Sequence, residues 1–231
     1  MEKTELIQRS PVRILEKSIH GGLKQGEIGI IAAPSGIGKT SVLVQLALDK
    51  LLQSKKVIHV SYTKHTDYVL AWYENIFSEF IKKKNLDHIN EIKDELIQNR
   101  VLMKFCQESL SGEQVSRSLM ALVQEGGFNA DAIIVDGFDF RDTDVQGRLA
   151  LEKELASSLN LSVWYSYTVH EEAEQGIPPA LLGALDLVDV LITLEPKMDH
   201  IALKVFKDRN TLNREETALR LDPKTLLILE S

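Results

Sequence analysis

The segment Ala33-Pro-Ser-Gly-Ile-Gly-Lys-Thr40 constrains this chain more than any other. It follows a continuous apolar run, Ile28–Ala33, and precedes an apolar stretch that reads as a helix, Thr40–Leu52. A strand, a glycine-bearing loop and a helix opening on Lys-Thr form the pattern of a phosphate loop, with Ala33 where glycine is usual. Gly36 and Gly38 let the backbone curl so that amide N–H groups converge on phosphate oxygens. The helix start turns its positive end to the same place. Lys39 is then expected on the β- and γ-phosphates, and the Thr40 hydroxyl on Mg²⁺. The expected binding set runs through Ala33, Pro34, Ser35, Gly36, Ile37, Gly38, Lys39, Thr40 and Ser41.

The rest of the chain alternates apolar runs with helical patterns. Strands are expected at Val57–Ser61, 101–105, Ala132–Asp136, 161–167, 187–194 and 201–207. Helices are expected at 66–84, 89–98, 111–125 and 148–158, with Ser111 and Gln114 as a capping box. Asp222-Pro-Lys-Thr225 separates two short apolar runs as a hairpin turn. The alternation implies βαβ units and a mainly parallel sheet flanked by helices. The last strands lack intervening helices, so that edge is expected to be antiparallel. With 231 residues the chain fits one sizeable domain, residues 1–20 forming a lead-in.

Asp136 ends an apolar strand, where a carboxylate is placed to hold Mg²⁺ beside Thr40. Lys39 and Asp136 are therefore the expected catalytic pair, and Thr40 and Asp136 the expected metal pair. Asp139, past the strand, reads as a solvated turn residue. Trp72, Tyr73, Ile76, Phe77 and Phe80 read as the core face of a helix.

The lead-in Gly21-Gly-Leu-Lys-Gln-Gly-Glu27, the apolar strand and the loop together resemble the RecA-like ATPase domains of KaiC-type proteins and DnaB-type replicative helicases. The likeness continues through Val57–Ser61, Ala132–Asp136, Leu159–Val163, Leu182–Ile192 and Lys204–Asn210. It implies a RecA-like P-loop fold, ATP or ADP with Mg²⁺, and a ring or other head-to-tail homo-oligomer. Lys207 and Arg209 match the family's Lys-x-Arg motif, whose side chains reach a neighbouring subunit's γ-phosphate. Two positions depart from it. The family's catalytic Glu follows the second strand, where this chain has Thr63, with His65 and Asp67 as the nearest groups able to orient a water. A Gln follows the family's sensor strand, where this chain has Tyr167 and Thr168. Thr is a poor general base at neutral pH.

Net charge is −7 and the pI about 5.4. The loops at 137–147 and 169–183 are acidic, which argues against a phosphate-backbone track for DNA. Lys82-Lys83-Lys84 reads as a solvated helix end. One cysteine, Cys106, excludes an internal disulfide framework. No apolar stretch is long enough for a membrane span, and Met1-Glu-Lys-Thr-Glu5 lacks a signal-peptide plan, so a cytoplasmic protein is expected. The expectation is an ATP-binding regulatory or assembly module, open to a protein partner, with weak or absent hydrolysis. The alternative is an active oligomeric DNA-dependent ATPase.

Overall fold

Apolar runs flanked by helices leave the strands little choice but to lie in the middle. A computed structural model of the chain describes residues 2–8, 10–63, 65–82, 89–140, 144–170, 177–212 and 216–230. The strands are β1 (Ile28–Ala33), β2 (Val57–Ser61), β3 (Arg100–Lys104), β4 (Ala132–Asp136), β5 (Ser162–Thr168), β6 (Val190–Pro196), β7 (Ile201–Asp208), β8 (Thr211–Leu212), β9 (Glu216–Leu221) and β10 (Ile228–Glu230). They form one ten-stranded sheet in the order β10-β9-β7-β6-β1-β5-β4-β2-β3, with β8 paired to β7. From β6 to β3 all pairings are parallel. From β6 to β10 all are antiparallel. The chain is thus α/β, with a mixed, mostly parallel sheet and an antiparallel C-terminal edge.

The helices are α1 (Glu2–Gln8), α2 (Val12–Ser18), α3 (Lys39–Leu52), α4 (Thr66–Ile81), α5 (Ile89–Gln98), α6 (Gly112–Met120) and α7 (Val145–Ser158). Every residue of β1, β2 and β4 is buried, as a strand covered on both faces requires. One face carries Ile31, Ala33, Ile134 and Trp164 under α1 to α5. The other carries Ile30, Ala32, Ile133, Val135 and Tyr165 under α6 and α7. Gly29 is needed for close approach, since a Cβ there would stand 2.4 Å from the Trp164 ring on the adjacent strand.

Several expectations change. The lead-in folds into α1 and α2, whose Leu6, Val12 and Leu15 join the core. The capping box at Ser111 is present, but α6 gives way to a π turn over Ala121–Glu125. α7 starts three residues earlier than expected, with the Asp144 side chain accepting from Gly147 N–H at its N-cap. A 3₁₀ segment, Pro179–Leu187, precedes the sixth strand and takes its expected first residue, so that β6 starts at Val190. Lys82 is paired with Glu79; Lys83 and Lys84 lie outside the described residues. Parts of both acidic loops, 141–143 and 171–176, also lie outside them. Among the described residues no helix is long and apolar enough to cross a membrane.

Candidate functional site

Parallel strands deliver their C-terminal ends to one edge of a sheet, and the loops that follow them frame a cleft there. Here β1, β2, β4 and β5 frame a cavity of about 630 Å³, within the usual size of ligand sites. Ser35, Gly36, Gly38, Lys39, Thr40 and Ser41 form one wall. Gly36 and Gly38 have φ of +81° and +109°, values that strain any other residue. A Cβ on Gly38 would also stand 2.6 Å from Leu221 Cδ2. α3 begins after Gly38 with no side-chain cap, so its first-turn N–H groups are left for another acceptor.

Lys39 Nζ donates to the carbonyls of Ala33 (2.9 Å) and Pro34 (2.8 Å). Burial pushes its pKa down to about 8, against the opposing pull of the Asp136 charge. Thr40 Oγ1 donates to Asp136 Oδ2 at 2.8 Å, joining the helix start to the end of β4. The loop lysine, the threonine and the carboxylate therefore meet as expected from sequence. Ala33, Pro34 and Ile37 contribute differently. The first two offer carbonyls to Lys39, and Ile37 packs against the core. Ser41 Oγ donates to the Leu226 carbonyl (2.6 Å), which also accepts from Gln45 Nε2. That bond ties α3 to the C-terminal hairpin.

The far wall contains what sequence reasoning missed. Ser166, on β5, donates to Asp136 Oδ1 at 2.7 Å and accepts from Gly137 N–H at 2.8 Å. Both carboxylate oxygens of Asp136 thus receive a hydroxyl. Asp139, expected in solvent, is half-buried and lines the cavity. Tyr68 and Trp72 line it too, 6.4 Å apart edge to face. The core reading holds for Tyr73, Ile76 and Phe77; Trp72 and Phe80 are half-buried and pack against the same core, and Trp72 also lines the cavity. Helical periodicity puts Tyr68 and Trp72 on one face.

Thr63 does stand in the cavity. A Cβ on Gly137, at φ +78°, would lie 2.4 Å from Thr63 Oγ1, so glycine is what admits this threonine beside Asp136. Tyr167 and Thr168 line the cavity as well. His65 and Asp67 pair with each other at 3.1 Å, both largely exposed and outside the cavity.

Lys207 and Arg209, the expected trans fingers, are engaged within the chain. Lys207 is buried and donates to the carbonyls of Leu185 and Val188. Arg209 grips both oxygens of Glu27 (3.0 and 2.7 Å) and the carbonyls of Ile19 and Gly22. It also pairs with Asp208. All of these partners but Asp208, the last residue of β7, come from the segment 19–27. A guanidinium with five donors is the group best suited to gather them.

Among the described residues no group of three His, Cys, Asp or Glu is placed to hold a metal. Thr40 and Asp136 alone suit a hard cation that keeps waters and takes further oxygens from phosphates, the manner of Mg²⁺. No protein-family model matches the chain, and no curated protein matches it.

Proposed function

We propose that this chain binds ATP or ADP as the Mg²⁺ complex and acts as a nucleotide-dependent regulatory or assembly module of RecA-like type, with slow hydrolysis. The observation that carries this reading is the Thr40–Asp136 hydrogen bond at the mouth of a glycine loop holding Lys39. It joins the two residues needed for a metal to the one needed for phosphate charge. Lys39 would hold the β- and γ-phosphates, the start of α3 would supply N–H donors, and Thr40 with Asp136 would hold Mg²⁺, which neutralises phosphate charge when bound. Adenine over guanine rests on the RecA-like resemblance. Tyr68 and Trp72 offer aromatic surface for a base.

Slow turnover follows from Thr63, which cannot take a proton from water at neutral pH. The commitment of Lys207 and Arg209 inside the chain removes the support a trans-activated motor would need. We place the protein in the cytoplasm, where ATP and Mg²⁺ are plentiful.

The test is equilibrium binding of a fluorescent ATP analogue with Mg²⁺, paired with phosphate release with and without single-stranded DNA. Lys39→Ala should weaken binding by about 100-fold, the loss of a charge-assisted contact to phosphate. Unchanged affinity in Lys39→Ala sinks the site. Brisk, DNA-stimulated phosphate release sinks the regulatory reading.

A further inference from the structure

A cavity built for a nucleotide but lacking the expected glutamate leaves open which group removes a proton from water. Among the described residues lining it, the carboxylates are Asp136 and Asp139. Asp136 accepts a hydroxyl on each oxygen and belongs to the metal pair. We infer that Asp139 is the general base of this site, standing in for the carboxylate that Thr63 does not supply; the inference rests on the nucleotide reading above.

The geometry that supports it is a rigid mount. Asp139 lies between Phe138 and Phe140, both buried in the core beneath α6 and α7. Their rings meet edge to face at 4.8 Å, and Phe140 also packs on Tyr165 at 5.6 Å. Asp139, half-buried, lines the cavity together with Phe138 and Phe140. Its backbone is held on both sides by one side chain. Asp139 N–H donates to Gln107 Oε1 at 2.8 Å, and Gln107 Nε2 donates to the Asp139 carbonyl. A loop three residues past the metal carboxylate is thereby fixed in place, as a base that must meet its water in one geometry requires.

In the step assigned to it, a water oxygen attacks the γ-phosphorus. The bond from that phosphorus to the β–γ bridging oxygen breaks, and ADP leaves with the electron pair. The water's proton passes to the Asp139 carboxylate. An irregular loop in place of a strand end fits slow rather than absent turnover.

The experiment uses the whole chain with Mg²⁺ and ATP, reading phosphate release, nucleotide affinity and the Mg²⁺ midpoint of nucleotide binding. Asp139→Asn should lower kcat by about 100-fold, with affinity and Mg²⁺ midpoint held within about threefold. Gln107→Ala frees the loop and should lower kcat by about tenfold, with no further loss when combined with Asp139→Asn. Turnover within about threefold of the wild type in Asp139→Asn overturns the inference. So does turnover restored by excess Mg²⁺, which marks a metal ligand, or loss confined to His170→Ala, the other basic group on the cavity. A wild-type chain that binds ATP and releases no phosphate also overturns it and leaves the nucleotide reading intact. A wild-type chain that binds no ATP sinks both.

Discussion

The two halves of the sheet treat their charged residues in opposite ways. In the parallel half, chain segments after β1, β2, β4 and β5 all arrive at one edge, and Lys39, Thr63, Asp136, Asp139 and Ser166 face a shared cavity. In the antiparallel half the chain turns back on itself, and charged groups close on partners within the chain. Lys207 binds two carbonyls, Asp208 pairs with His20, and Arg209 binds Glu27. Lys39 and Arg209 make the contrast sharp. Burial lowers the Lys39 pKa to about 8. Burial also works against the Arg209 charge, but hydrogen bonds to Glu27 and Asp208 outweigh it and raise its pKa. Lys39 is held by two neutral carbonyls, whereas Arg209 is held by two carboxylates. Parallel topology makes sites because crossovers bring unrelated segments together at one edge of the sheet.

The largest effect should come from breaking the closed half. Arg209→Ala leaves Glu27 and Asp208, both largely buried, without their cation. Removing one partner of such a cluster should cost about 3 kcal/mol, a fall in Tm of roughly 10 °C for a chain of this size. Arg209→Lys should recover less than half, because an ammonium cannot grip both oxygens of Glu27 with a fork. Urea denaturation measures both. A loss below about 1 kcal/mol, with assembly abolished instead, would return Arg209 to the surface role that its motif suggested.

A pH experiment separates the halves next. Lys39 has a pKa of about 8 in the fold against 10.5 as the ordinary value. Between those pH values the unfolded chain binds more protons at this site than the folded chain. The stability contributed by Lys39 therefore rises as pH goes from about 8 to 10.5, and is at its least below 8. Urea midpoints of wild type minus Lys39→Ala should show that rise. Inorganic triphosphate should flatten it, because a bound polyanion raises the lysine's pKa again. A flat difference without triphosphate contradicts a desolvated Lys39.

What sequence made visible followed the same division. β1 and β4 have the expected bounds because Ile28–Ala33 and 132–135 are unbroken apolar runs that end at Pro34 and at Asp136-Gly137; β2 keeps its expected bounds with His59 and Ser61 inside them. The loop's turn was visible because its residues lie within eight positions of one another. The sixth strand, expected at 187–194, was started three residues early because an apolar run does not reveal its own period. Pro178–Pro179 in fact opens a 3₁₀ segment, and β6 starts only at Val190. The internal partners of Arg209 were hidden because Glu27 lies 182 positions away. Ser166 was passed over, and Asp139 read as a solvated turn residue, for a related reason. Each is one polar residue beside apolar ones, and its meaning comes from the neighbour the fold supplies, Asp136 for one and Gln107 for the other.

Ser166 gives a smaller and more local test. Strands β4 and β5 pair through Val135 and Tyr165, and just beyond that pair the Ser166 hydroxyl links both Asp136 and Gly137. Ser166→Ala should raise the Mg²⁺ midpoint of nucleotide binding by about tenfold, the usual cost of losing a group that orients a metal ligand. Ser166→Thr keeps the hydroxyl and should fall between the two. Affinity measured in EDTA should stay the same. An unaltered Mg²⁺ midpoint in Ser166→Ala means that Asp136 is oriented by Thr40 alone, and that strand pairing matters less to the open half than argued above.

The smallest effect concerns the aromatic wall. Tyr68 and Trp72 lie on α4, four residues apart and so one above the other on the cavity side. If the parallel half recognises the whole nucleotide, an aromatic ring there should stack on the base. Trp72→Ala should then weaken ATP binding by about fivefold to tenfold, near the low end of base-stacking contributions. Inorganic triphosphate carries the phosphates without the base, so its affinity should not change. Trp72 packs partly against the core, and the triphosphate control also reports whether the loop has stayed intact. Equal losses for ATP and triphosphate assign Trp72 to holding the wall in place. No loss for either moves the base to the Leu226 side of the cavity, where the antiparallel half would contribute to recognition after all.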